Sequence, residues 1–382
     1  MIRVLHSVSN MDRAGIETML MNYYRHMDRS KIQFDFLCNK QKIGAYEEEI
    51  CALGGKIYRT PGLNPVKYPR YLHYMKKLFQ ENPECRIVEA HNGAFGAYAL
   101  NAARHYGIPV RILHAHGASI GKDWKLPLKL LCRAVLPLST TERFTCGEAA
   151  AKCYFTAKKA WDHDYILIPN AIEIENFVFD RNAREKLRRD NGLDDKHVIG
   201  HVGRFSYEKN HSFLLETFAC LKRQDPMAHL ILIGDGEGMA AAQATAERLE
   251  ISDSVSFLGN IPNVNEWYQA FDVFVLPSVR EGLPVVGIEA QTADLPCIFS
   301  ASVTREIHIL EKTQFVDLKG GPKAWAEVIL QALGNTQREN VGKLIADHGY
   351  DISVEAVKLQ ERYLKLAGES NENRNTDPSI CQ

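Results

Sequence analysis

Asp272-Val273-Phe274-Val275-Leu276-Pro277-Ser278, followed by Arg280-Glu281-Gly282-Leu283-Pro284-Val285-Val286-Gly287-Ile288-Glu289, is the stretch that decides the fold. Its first half is an apolar run stopped by Pro277-Ser278, which reads as a buried strand. Its second half reads as a helix with Pro284 at the first position, where a missing N–H costs nothing. A strand that feeds a helix through a short loop is the repeating unit of a parallel sheet. The carboxyl edge of such a sheet is where ligands sit. The N–H groups of Gly282, Leu283 and Val285 are expected to point out of the helix start, where an anion such as phosphate is favoured. Glu281 and Glu289 flank that position and can accept hydrogen bonds from hydroxyl groups. Phosphate donors beside hydroxyl acceptors describe a nucleotide-sugar pocket.

Working outward, the same alternation fills the chain. Strands are expected at Ile2–Val8 and over 34–37, 86–89, 110–114, 143–145 and 165–168, with helices over 16–27, 96–106 and 124–136. A second series begins at His197–Val202 and continues with strands over 229–233, 254–258, 272–276 and 297–299. Helices over 210–224, 239–249 and Val264–Ala270, one around Glu289, and more between 323 and 367 complete it. This spacing predicts an α/β protein of two doubly wound, Rossmann-like domains. The expected boundaries are a first domain over 1–170, a linker over 171–195 and a second domain over 196–350. A C-terminal helix over 351–367 could pack back on the first domain, and a polar, disordered tail over 368–382 would follow.

The chain has 382 residues, 45% hydrophobic and 24% charged, as expected of a soluble globular protein too long for one core. Its formal net charge of −1 is unevenly spread. Residues 1–170 hold 24 Lys+Arg and 15 Asp+Glu, a balance of +9; the rest hold 22 and 32, a balance of −10. The near-zero total and the lack of a recognition motif argue against nucleic acid as partner. The basic first half could face acidic lipid headgroups or an anionic acceptor, or be solvated surface. Two stretches mix cations with apolar and aromatic residues, Val66-Lys67-Tyr68-Pro69-Arg70-Tyr71 onward and Lys122-Asp123-Trp124-Lys125-Leu126 onward. Both fit either a membrane surface or an ordinary surface helix. Nine cysteines without a Cys-x-x-Cys pair suggest neither a zinc cage nor a disulfide framework, and fit a reducing cytosol. No secretory pattern opens the chain and no apolar run is long enough to span a membrane.

Six further segments fall at carboxyl ends of expected strands. Gly203-Arg204 is followed by Lys209, two cations able to clamp a diphosphate, though either could be a plain surface charge. Gly234-Asp235-Gly236-Glu237-Gly238 lets backbone approach a ligand or simply turns tightly. Phe257-Leu258-Gly259-Asn260 could wall a base pocket. In the first half, Ala14-Gly15-Ile16-Glu17 opens a helix, where Gly15 permits close approach of a phosphate or sugar. His114-Ala115-His116-Gly117 places two histidines on one face of an extended chain. A metal pair there lacks a third ligand or carboxylate nearby in sequence, so His116 is read as a hydrogen-bond partner of a sugar hydroxyl. His91-Asn92 is a lesser candidate on the same rim.

Gly203-Arg204 with Lys209, Gly234-Asp235-Gly236, and Glu281-Gly282-Leu283-Pro284 with Glu289 closely resemble family-four retaining glycosyltransferases of the GT-B fold, over residues 2–367. Residues 16–25 and 31–37 look like the subgroup building bacterial exopolysaccharide and capsule. The resemblance implies an acceptor-side first domain and a nucleotide-sugar-binding second domain facing a central cleft. It implies that Arg204 and Lys209 bind the donor diphosphate, that Glu289 holds the ribose and that Glu281 meets the donor sugar. It sets His116 near the reacting bond and makes His116 and Glu281 the catalytic residues. Gly15, Gly234, Gly236, Gly282, Leu283 and Pro284 then line the donor. Gly15 stands as the second glycine of a Gly-Gly loop whose first is here Ala14. No metal or other cofactor is expected. The implied activity is metal-independent transfer of a sugar from a nucleotide-diphosphate donor, a UDP-sugar by subgroup, to a saccharide or polyprenyl-linked saccharide at the cytoplasmic membrane face. A nucleotide-sugar 2-epimerase and a non-catalytic nucleotide-sugar-binding scaffold are the alternatives.

Overall fold

The computed structural model describes residues 1–117, 120, 124–155, 164–334 and 337–375, the last seven by backbone alone. Lys122 and Asp123 of the second basic stretch, and 376–382 of the expected tail, lie outside the described residues. The chain forms two compact units, Met1–Ala171 with Ile352–Gln382, and Ile172–Asp351.

In the first unit the order is β1 (Ile2–Val8), α1 (Gly15–His26), β2 (Ile32–Cys38), α2 (Glu47–Ala52), β3 (Ile57–Arg59), α3 (Tyr68–Glu81), β4 (Cys85–Ala90), α4 (Ala97–His105), β5 (Val110–Ala115), α5 (Leu126–Ser139), β6 (Glu142–Thr145), α6 (Glu148–Tyr154) and β7 (Ile166–Leu167). The strands form one sheet in the order β3-β2-β1-β4-β5-β6-β7, paired in parallel throughout. Every residue of β2 is buried, as expected of a parallel strand covered on both faces.

The second unit continues with α7 (Arg181–Asp190), β8 (His197–Val202), α8 (His211–Lys222), β9 (Ala228–Ile233), α9 (Met239–Arg248), β10 (Val255–Gly259), α10 (Val264–Ala270), β11 (Val273–Leu276), α11 (Val285–Thr292), β12 (Cys297–Ser300), β13 (Thr313–Val316), α12 (Gly321–Ala332) and α13 (Gly342–Asp347). Its parallel sheet has the order β10-β9-β8-β11-β12-β13. In each sheet the order reverses beside the first strand, between β1 and β4 and between β8 and β11. A crevice opens outside the carboxyl ends of the strands at such a switch point.

The last helix, α14 (Ile352–Asn375), belongs to the first unit. Ile352, Ala356, Leu359, Tyr363 and Ala367 recur at helical spacing and are buried in the same core as Phe34, Phe36 and Phe144. The helical backbone of α14 runs to Asn375.

The stretch 171–195 is not a free linker. Its α7 is fixed to the second unit by the buried Asp272, which accepts from Arg184 Nη2, from Arg188 Nη1 at 3.1 Å and from the Val198 N–H at 2.7 Å. Arg188 spends its other donors on the carbonyls of Leu193 and Lys196, at 2.8 and 2.5 Å. Asp272→Ala leaves two arginines without their counter-charge, one of them buried. The expected loss is about 3–5 kcal/mol, read as a lower urea midpoint; a change under about 1 kcal/mol would mean that the carboxylate does not hold α7.

Candidate functional site

The loops after β8 and β11 meet at the switch point of the second unit. Lys209 Nζ lies 2.6 Å from Glu281 Oε1, and the same oxygen accepts from Ser278 Oγ at 2.9 Å. Ser300, at the end of β12, in turn donates to the Ser278 carbonyl at 2.5 Å. Backbone bonds tie the loops as well: Val279 N–H donates to Glu208 O at 2.8 Å, and Asn210 Nδ2 to Pro277 O at 3.2 Å. Asn210 takes the left-handed conformation, φ 59°, that turns the loop into α8. The two expected cations therefore differ in state. Arg204 is exposed and its side chain bonds no described residue, whereas Lys209 is held by a carboxylate.

Glycines bring the loops after β8 and β9 edge to edge. Gly234 has φ +136°, and a Cβ there would stand 2.1 Å from the Gly203 carbonyl oxygen. At Gly236 it would stand 2.6 Å from Phe205 O. Gly234 N–H donates to Gly259 O at 2.8 Å, which joins the end of β10 to the same edge.

Pro284 does not begin the helix. It is extended, φ −74° and ψ 118°, and caps α11 from outside. Gly282 and Leu283 thus lie in the loop and not in the first turn. Of the first-turn donors, Gly287 N–H turns back to Pro284 O at 3.0 Å, while those of Val285 and Val286 have no acceptor among the described residues. Glu289 lies one turn further in and is buried. Tyr268 OH donates to its Oε2 at 2.7 Å. Burial raises the Glu289 acid to about 7, although Tyr268 and then Lys209 pull it down. Tyr268 carried no signal in the sequence; it reads there as one more apolar position of α10.

In the first unit Gly15 starts α1 after Ala14, which is extended at φ −143°. That conformation suits any residue, so alanine in place of the first glycine strains nothing. A Cβ on Gly15 would meet nothing within 4 Å.

His116 ends a chain of imidazoles. Its Nε2 lies 2.9 Å from His91 Nδ1, and His91 Nε2 lies 3.0 Å from His6 Nδ1. Beside this chain Glu89 Oε1 takes His114 Nδ1 at 2.8 Å, and Tyr363 OH of α14 donates to Glu89 Oε2 at 2.5 Å. His6, Glu89, His91 and His114 are buried, and His116 is half-buried. Burial first, and the neighbouring rings second, push His91 and His116 well below the ordinary imidazole value, and burial pushes His114 to about 3. Burial also raises the Glu89 acid. His6 and Glu89 escaped sequence reading; a polar residue inside an otherwise apolar strand was the available signal.

Residues 13–176 match the family described as Glycosyltransferase Family 4, and residues 183–347 the one described as Glycosyl transferases group 1. EpsF of Bacillus subtilis (strain 168), which is named as a glycosyltransferase, is 36% identical over 379 residues, 97% of this chain and 98% of its own. The chain belongs to the family-four glycosyltransferases. The UDP-Gal:alpha-D-GlcNAc-diphosphoundecaprenol alpha-1,3-galactosyltransferase of Escherichia coli is 29% identical to this glycosyltransferase over 224 residues, 56% of this chain and 57% of the relative. HepE from Anabaena, solved with UDP-glucose, superposes with a TM-score of 0.79 over 96% of this chain and 100% of its own, at 17% identity. That likeness gives this glycosyltransferase the GT-B fold.

Two expectations follow for this glycosyltransferase. Because the folded protein holds the Glu289 proton to about pH 7 and the unfolded chain releases it nearer 4.5, stability falls as pH rises across that window. Glu289→Gln is therefore more stable than the parent at pH 8, by on the order of 3 kcal/mol, and gains nothing at pH 4.5. Urea unfolding at both pH values checks this, and an equal difference at the two would contradict it. Gly234→Ala is expected to lose several kcal/mol, about 3 or more; a near-neutral thermal midpoint would show that the loops can part.

Proposed function

We propose that this glycosyltransferase moves a sugar from a UDP-sugar donor, with retention of anomeric configuration, onto a polyprenyl-linked saccharide in exopolysaccharide or capsule synthesis. The observation that carries the reading is the convergence of Lys209, Glu281 and the unbonded first-turn N–H groups of α11 at one switch point. Cations and helix N–H groups suit a diphosphate, and carboxylates suit the hydroxyls beside it. UDP as the nucleotide is supported by HepE, solved with UDP-glucose, and by the Escherichia coli relative that uses UDP-Gal. That relative's diphosphoundecaprenol acceptor and the capsule-synthesis names of CapM and CapH of Staphylococcus aureus support the acceptor and pathway.

In this reading Arg204 and Lys209 bind the diphosphate and meet the charge that grows on it as the sugar leaves. Glu289 holds the ribose, and Glu281 orients the sugar while its ion pair positions Lys209. The backbone of Gly15, Gly234, Gly236, Gly282, Leu283 and Pro284 lines the donor. His116 offers a neutral ring to a sugar hydroxyl. The sugar–phosphate bond breaks and a bond to the acceptor oxygen forms on the same face, with the hydroxyl proton passing to the leaving diphosphate. Glu281 and Glu289 do not act as the nucleophile pair of a retaining hydrolase, since one is tied to Lys209 and the other is buried against Tyr268. No metal ion is needed on the diphosphate.

Membrane-surface contact is supported by α5 and the two residues before it. Trp124, Pro127, Leu131, Ala134 and Leu138 are exposed at helical spacing, and Lys125 and Lys129 lie on the same segment. No described helix is long and apolar enough to cross a membrane.

A transfer assay with UDP-, GDP- and ADP-sugars and a polyprenyl-diphosphate saccharide tests the reading. UDP-sugar is expected to support transfer, undiminished by EDTA. Glu281→Ala is expected to lower kcat by about 10²–10³-fold. Full activity in that variant, or activity abolished by the chelator, would overturn the assignment.

A further inference from the structure

His114 and His116 alone make a poor metal site, because their own segment supplies neither a third ligand nor a carboxylate. The pairing of β4 with β5 supplies both. One ring nitrogen from each of His91, His114 and His116 falls within 4.8 Å of the others, and the same holds for the ligand atoms of His6, Glu89 and His91.

The nitrogens are already sorted. His114 Nδ1 is held by Glu89 Oε1 and His91 Nε2 by His6 Nδ1. Left over are His114 Nε2, which is buried with no partner, and the pair His91 Nδ1 and His116 Nε2, 2.9 Å apart. The His114 and His116 rings stack with centroids 4.1 Å apart and planes at 25°. One nitrogen tied to a carboxylate or second imidazole and the other left over is how metal-bound histidines are oriented. Glu89 adds a second sign. It is buried, its hydrogen-bond partners are Tyr363 and His114, and no described lysine or arginine pairs with it. A cation beside it would supply the missing counter-charge.

We propose that His91, His114 and His116 bind a divalent transition-metal ion of the zinc class, oriented by Glu89 and His6. Zn–N distances of about 2.0–2.1 Å put tetrahedral ligands about 3.4 Å apart. The His91–His116 hydrogen bond must then open by about half an ångström while the third nitrogen draws in. The ion replaces the proton shared in that hydrogen bond, which passes to solvent. The half-buried His116 gives access, and a fourth position remains for water. The metal takes the Nε2 lone pair of the histidine assigned to the transfer reaction, so the site is inhibitory; this consequence rests on the role proposed for His116, whereas the binding does not.

The test is titration of chelator-treated, dialysed full-length protein with zinc chloride, followed calorimetrically, and with cobalt(II), followed by visible absorption. One ion per chain is expected, with the spectrum of a four-coordinate nitrogen site. His114→Gln is expected to weaken binding at least 100-fold, and Glu89→Gln about 10–100-fold, with circular dichroism confirming that both fold. Absence of stoichiometric binding, or binding unchanged in both variants, would overturn the proposal, the latter by placing the ion on cysteines or surface histidines. Binding lost in His114→Gln sustains the site whether or not zinc inhibits transfer. Inhibition links it to His116, and its absence removes His116 from the reaction without touching the metal site.

Discussion

The ion pair between Lys209 and Glu281 joins the two strand ends at which the second sheet reverses its order. The bonds of Val279 N–H and Asn210 Nδ2 to facing carbonyls join the loop after β8 to the loop after β11 as well. The pair also decides what each charge can do. A lysine engaged by a carboxylate stays placed for an anion while its remaining donors are open, and a carboxylate so engaged keeps its free oxygen for a hydroxyl. Arg204, by contrast, is exposed and its side chain bonds no described residue. Backbone geometry supports this through Gly234, whose contact with the Gly203 carbonyl leaves no room for a side chain.

The first unit uses the corresponding place in its own sheet differently. Around the β1–β4 reversal it collects imidazoles, not alternating charges, and removes them from water. The outcome is a set of neutral rings linked by hydrogen bonds, steadied by one carboxylate and by Tyr363 from the far end of the chain. That contact explains why α14 returns to the first unit: it brings both an apolar stripe and the one hydroxyl that the buried Glu89 needs.

Much of this was legible in the residues. β1 spans Ile2–Val8 as read, and the loops of the second unit fall at strand ends because apolar runs and glycines mark those ends without ambiguity. What escaped was short, or depended on partners distant in sequence. β3 at Ile57–Arg59 and β13 at Thr313–Val316 are brief edge strands, only partly buried and flanked by polar residues. The polar α7 looked like linker because nothing local shows that Arg184 and Arg188 converge on Asp272. Glu89 sits on β4 and His91 just after it, and they meet His114 and His116 only through strand pairing, which no spacing rule reveals. Pro284 was misplaced by one residue, since proline suits the cap and the first turn almost equally well.

Hydrogen–deuterium exchange of the full-length protein with and without saturating UDP is the most direct test of the central claim that the switch point of the second unit holds the diphosphate. Ligand binding slows exchange where backbone N–H groups are engaged or their opening is suppressed. Slower exchange is predicted in peptides covering 203–209, 234–238 and 280–289. Unchanged exchange in those peptides, with protection confined elsewhere, would contradict the account.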